Sequence, residues 1–100
     1  MPDATAEVIP DFTEEISNGI QFLDGRYPDW RENIISPIRM NSLFFCVGAQ
    51  ASGLLYLNFV GVHNLSIEDT ERLGFSTGRH WLHLQNQWIQ RLQYREHDAI

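Results

Sequence analysis

The residues with the clearest capacity for chemistry are a pair of histidines and a single cysteine. His80 and His83 lie one helical turn apart, so both imidazoles would share a face, and His97 or a carboxylate would have to complete a metal set. Two histidines at this spacing often arise by chance, and neither an HExxH pattern nor a second cysteine accompanies them. They read as partly exposed surface residues, with no metal and no cofactor. His63, after an apolar run, reads as a helix-end residue that interacts with the last carbonyls. Cys46 would act as a nucleophile only beside a base, with its pKa lowered. Its neighbours Phe44, Phe45 and Val47 are apolar and would raise it, so burial as a small hydrophobe is expected. The glycines of Gly48-Ala49-Gln50-Ala51-Ser52-Gly53 lack the Lys-Ser/Thr ending of a phosphate-binding loop, and no nucleophile elbow or dinucleotide fingerprint occurs. The residues therefore predict a protein that binds without catalysing.

Charge narrows the partner. The net charge of -6 disfavours free nucleic acid, because counterion release on a phosphate backbone rewards an excess of cations. All seven basic residues are arginine, whose planar fork suits bidentate contacts to carboxylates or phosphates. The charges are also segregated. Asp3, Glu7, Asp11, Glu14, Glu15 and Asp24 fall in a stretch without a cation, whereas Arg79, Arg91 and Arg95 fall in one without an acid. Two electrical poles are expected, with Asp11, Glu14, Glu15 and Asp24 as the preferred contact face and the three arginines at the other end. An acidic arm and first helix of this kind suit a basic groove on a protein partner, for example the nucleic-acid channel of a host enzyme.

A helix-turn-helix reader of DNA, using residues 66–95, is the alternative. Its second helix would pack on the first through positions about six and nine after the turn glycine. Counted from Gly74 these are His80 and His83, while the apolar residues fall at Trp81, Leu82 and Leu84. Gly78 would sit inside the recognition helix, and only Arg79, Arg91 and Arg95 are available for phosphates.

The elements that must position these residues follow from periodicity. A chain of 100 residues buries about 60 to 65 per cent of the surface of its unfolded form, enough for one core. Apolar residues make up 43% and aromatics 12%, ordinary globular usage. Residues 1–9 read as a flexible arm, without the basic and apolar regions of a secretory signal. With only one cysteine, a reducing cytoplasm is the expected location. Phe12, Ile16, Ile20 and Leu23 form one helical stripe, with Glu14 and Glu15 in the first turn and Gly25 as the stop. Pro28-Asp29-Trp30 and Ile34 read as a short helical turn ended by Ser36-Pro37, after which Ile38 and Met40 anchor a connector. Residues 42–62 have two readings. One is a long apolar helix, in which Gly48 and Gly53 would each cost about 1 kcal/mol; the other is a hairpin over residues 43–60. Either way the segment reads as buried core, not as a membrane span, since it contains Gln50, Ser52, Asn58 and three glycines. Ser66 and Asp69 read as a capped start and Gly74 as a stop. Trp81, Leu84, Trp88 and Leu92 predict a last helix over residues 77–95, with Gln85, Gln87, Gln90 and Arg91 on its opposite face.

Phe22-Leu23-Asp24, Pro28-Asp29-Trp30 with Ile34, then Met40, then Cys46-Val47 with Gln50, form a pattern continued by Leu73-Gly74-Phe75 and Trp88-Ile89. On these residues, most strongly over 19–75, the chain resembles a family of small proteins encoded by phages and prophages of actinobacteria. It departs from that pattern after the cysteine, where similar proteins carry adjacent Gly-Gln and Ala49 here separates Gly48 from Gln50. The resemblance implies a mainly helical fold with Cys46 near the start of a central helix, and a phage or host-defence setting. It implies no chemistry.

The expected fold is therefore all-α, a bundle of four or five helices around the segment at 42–62, with α+β as the alternative if 43–60 is a hairpin. Residues 10–95 should form the domain and 96–100 a frayed end. The expected function is that of a non-catalytic phage-type factor that binds, and in one form inhibits, a host or phage protein.

Overall fold

The fold was taken from a computed structural model, which describes the backbone of residues 9–99 and the side chains of residues 9–93. Nearly all of the arm expected at 1–9 lies outside the described residues. Five helices follow in order, and no strand occurs among the described residues, so the chain is all-α and the hairpin alternative is not formed.

Helix α1 spans Thr13–Arg26 and buries the expected stripe of Ile16, Ile20 and Leu23. The Asp11 carboxylate accepts the Thr13 amide at 2.9 Å, satisfying one donor of the first turn. The helix passes through Gly25 and ends at Tyr27. Proline explains the end better than glycine does: Tyr27 precedes Pro28 and so is pushed out of the helical region, to φ -137°. Residues 28–34 form successive turns with bonds from Trp30 to Tyr27, Glu32 to Asp29 and Asn33 to Trp30. These turns seat the fully buried Trp30.

The segment expected as one central rod is two helices, α2 at Val47–Ser52 and α3 at Tyr56–Val62. The break is local chemistry. Gly53 adopts φ 76°, a left-handed conformation open to glycine, and its amide closes α2 on Ala49 O. The Ser52 hydroxyl donates to Gly48 O at 2.8 Å and accepts the Leu54 amide at 3.1 Å, which directs the chain away from the helix axis. The two helices then pack on each other as a short hairpin. Consequently the segment is not buried throughout: Val47, Ala49, Ala51 and Phe59 enter the core, while Leu55, Leu57 and Val62 remain exposed.

Helix α4, Ile67–Arg72, starts with the capping box read from the sequence, Ser66 and Asp69 exchanging backbone bonds at 3.0 Å. It packs on α1. Helix α5, Trp81–Ala99, begins four residues after the expected Thr77, beyond Gly78, and its helical backbone continues past Arg95 through the stretch expected to fray. Nothing between Arg95 and Ala99 breaks a helix, since the stretch contains neither glycine nor proline. Leu84 and Trp88 are its buried face.

The helices meet around four large aromatics. Trp88 lies edge-on to Trp30 (centroids 6.4 Å, 86°) and stacks on Phe75 (6.4 Å, 10°), which meets Phe59 edge-on at 5.3 Å. All four are fully or almost fully buried, and each contributes on the order of 3 kcal/mol of apolar transfer. The buried Trp88 indole donates to Gly74 O at 2.6 Å, so the core ring also fixes the end of α4.

Side-chain amides hold the irregular connector at 35–46. Gln50, 9% exposed, accepts the Ser36 amide at 2.9 Å and donates to Ser36 O at 3.1 Å and Phe45 O at 2.8 Å. Gln85 accepts the Met40 amide at 3.0 Å, so this residue of α5 is a structural clamp and not the solvent-facing group expected.

Candidate interaction surface

The fold places the predicted contact residues in three different situations. Glu14 is exposed on α1 and Glu15 is half-buried. Asp11 caps the Thr13 amide and hydroxyl, which hold its carboxyl below the usual carboxylate range. Asp24 is a different case. It accepts the indole N–H of buried Trp30 at 2.8 Å and pairs with Arg31 at 3.1 Å, while the Arg31 guanidinium lies 4.5 Å above the Trp30 ring. Asp24 therefore orients a core ring while half of its side chain stays exposed.

Replacing Asp24 by alanine should cost about 1–3 kcal/mol, because the indole N–H loses its acceptor. Asp24→Asn, which keeps an oxygen there, should cost less. Urea unfolding measures both. A change below about 0.5 kcal/mol for alanine would show that Asp24 does not hold the ring.

The two electrical poles are not separated as expected. Helix α5 touches the start and first half of α1, since the apolar stripes of both enter one core. Gln87 accepts the Phe12 amide and donates to Pro10 O, both at 2.7 Å, and Arg91 donates to Ser17 Oγ at 3.3 Å. Arg91 thus flanks the acidic helix, and with Asp11, Thr13, Ile16 and Gln90 it lines a groove of about 830 Å³. Arg79 is exposed in the connection between α4 and α5. The side chain of Arg95 lies outside the described residues.

Sequence order concealed a second group of acids. Because α4 packs on α1, with Asn18 donating to Arg72 O at 3.3 Å, Glu68 and Glu71 are brought onto an element adjoining Glu14 and Glu15. Among the described residues the ion pairs are Arg31–Asp24 and Arg72–Asp69, and neither involves these four carboxylates. Asp69, like Asp24, is occupied structurally: the Ser66 amide and Arg72 hold its carboxyl below the ordinary value.

The remaining sequence candidates carry no constellation. Cys46 is buried at the start of α2, and burial pushes its thiol up, against the opposing pull of nearby amides. His63 is the helix-end residue expected, the C-cap of α3 with its backbone amide on the Phe59 and Gly61 carbonyls, but its ring is engaged elsewhere. Its Nε2 lies 2.7 Å from the Tyr27 hydroxyl, within a ring of Phe22, Tyr27 and Phe59, and burial lowers its pKa, with Arg26 adding to the effect. His80 and His83 have ring centroids 6.1 Å apart, and among the described residues no group of three potential metal ligands occurs. A helix-turn-helix arrangement is not formed either, since eight residues connect α4 to α5, where the motif uses a turn of about three or four. No helix among the described residues is long and apolar enough to cross a membrane.

With the geometry in place, the chain can be set against known proteins. No family model matches it, and comparison with curated proteins and with solved structures returns no match.

One feature of the surface was legible only in three dimensions. Ile35 (85% exposed), Phe44 (63%), Leu43 (46%), Phe45 (44%) and Leu55 (43%) stand out from the connector and the α2–α3 corner. Four of them border a groove of about 530 Å³ that also includes Glu32, Leu54 and Gln50. Leu43 O accepts the Tyr56 amide at 2.9 Å, which joins the two parts of this apolar face.

Proposed function

We propose that this chain is a non-catalytic, phage-type binding protein that modulates, and in one form inhibits, a host protein or defence complex in the cytoplasm, through its acidic side. One observation carries the reading: Glu14, Glu15, Glu68 and Glu71 lie on two packed helices and take part in none of the ion pairs among the described residues. Carboxylates left this way raise the local negative potential, attract a basic protein surface and accelerate encounter with it. A groove that normally takes a phosphate backbone is the kind of surface that complements them. The phage setting rests on the resemblance in residues 19–75.

The test uses the full chain as bait in a lysate of an actinobacterial host, followed by identification of captured proteins and titration with the best one. The expected partner carries a basic patch, and its affinity falls steeply between low and physiological salt. Glu14→Arg, Glu68→Arg and Glu71→Arg together, with Asp24 and Asp69 kept, should weaken it at least tenfold without loss of helical signal. An affinity that ignores both salt and these three changes would refute the acidic-face reading.

A further inference from the structure

The exposed apolar face built by Ile35, Leu43, Phe44, Phe45 and Leu55 has a chemistry distinct from the acidic side. We infer that it is a self-association surface, and that the chain forms a two-fold dimer through it.

Area comes first. With full side-chain areas on the order of 150–200 Å² each, these five residues expose about 500 Å² of apolar surface, at the upper end of what a monomer carries. Two such faces pressed together remove about 1,000 Å² from these side chains alone. That figure meets the roughly 1,000 Å² that a specific interface should clear. Aromatic enrichment with few charges at the centre is the composition of homodimer cores.

Charge selects the occupant. Residues 40–67 contain no Asp, Glu, Lys or Arg, in a chain whose net charge is -6. Two copies meeting through the acidic helices would bring like charges together, whereas two copies meeting here would not. A basic partner, which the acidic side attracts, finds no complement on this face. The rim also carries one charge of each sign. Glu32 borders the groove, and Arg39, exposed, is tied to the face by its amide bond to Phe45 O at 3.0 Å. Neither takes part in an ion pair among the described residues. The proposed two-fold contact sets Glu32 of one copy against Arg39 of the other, and symmetry then forms the reverse pair as well.

Sedimentation velocity of the full chain from about 5 to 500 µM tests this. A concentration-dependent dimer is expected, and Ile35→Asp with Phe44→Asp should raise its dissociation constant at least tenfold while circular dichroism stays unchanged and the thermal midpoint matches the wild type's at dilutions where both are monomeric, since both side chains are exposed. Glu32→Arg and Arg39→Glu should each weaken the dimer, and the two together should restore it. The variant with Glu14, Glu68 and Glu71 reversed should dimerise as the wild type does, which separates this surface from the acidic one. A chain that stays monomeric at 500 µM overturns the inference, as does a dimer indifferent to Ile35→Asp with Phe44→Asp or a charge swap that fails to restore it. A different protein captured through Ile35 and Phe44 by such a monomer would identify another occupant.

Discussion

Trp88→Ala should remove a large part of the chain's stability at 25 °C. The side chain is fully buried, stacks on Phe75, meets Trp30 edge-on and donates its indole N–H to Gly74 O. Truncation of such a ring typically costs about 3–5 kcal/mol. Domains of this size have about 5–15 kcal/mol in total, so most of the margin disappears in a protein at the low end. The loss also spreads: the buried Gly74 carbonyl is left without its donor at the point where α4 ends beside α1. Trp88→Phe separates the two contributions, because it keeps an aromatic ring against Phe75 and removes only the bond and part of the volume. It should cost roughly 1–3 kcal/mol, mostly as an unsatisfied acceptor. Circular dichroism and urea titration of both variants measure this. A stable, cooperatively folding Trp88→Ala protein would mean that the aromatic cluster is not the centre of the fold.

Trp88 also marks where sequence was sufficient. Its helix was legible because Trp81, Leu84, Trp88 and Leu92 repeat at helical spacing, and α1 was legible for the same reason in Ile16, Ile20 and Leu23. The capping box at Ser66 and Asp69 was legible because a cap is a local bond between near neighbours. The 42–62 segment was harder. An apolar stretch with three glycines does not reveal whether a glycine is tolerated inside a helix or used at φ 76°, and that choice rests on Ser52 and on the Leu43 carbonyl that captures Tyr56. Its apolar character was read as burial, although half of a corner between two short helices must face outward.

The site divided along the same line. Glu14 could be placed as an exposed carboxylate from helix periodicity alone. The role of Asp24 could not, because its partner, the Trp30 indole, arrives by a turn whose shape depends on Pro28. Glu68 and Glu71 join the acidic side only because α4 folds back on α1, a contact between residues more than fifty positions apart. Gln85 and Gln87 were assigned to solvent on periodicity, yet both bond backbone groups of irregular segments that α5 happens to pass. Long-range polar contacts of this kind leave no periodic trace.

The contact of α1 with α4 leads to a pair of substitutions that should act with opposite sign in one helix. Gly19 and Gly25 both lie within α1, and alanine is intrinsically the better helix former, by up to about 1 kcal/mol. At Gly25 a Cβ would meet nothing within 4 Å, so Gly25→Ala should stabilise the protein by about 0.5 kcal/mol, the helix end reducing the full effect. At Gly19 the same atom would overlap the Leu73 carbonyl oxygen and come within 3.2 Å of the Trp88 ring. The carbonyl is backbone, so no rotamer change relieves the overlap, and α4 has to move away from α1 as a unit. Overpacking of this type costs about 1–3 kcal/mol when side chains can yield. Here the loss should reach the top of that range or exceed it, net of the gain in helix propensity. The displacement should also disturb the Trp88 bond to Gly74, and a shift in tryptophan emission would report it. Thermal midpoints that move in the same direction for both variants would show that helix propensity, not the close approach of α1 to the end of α4, governs this part of the chain.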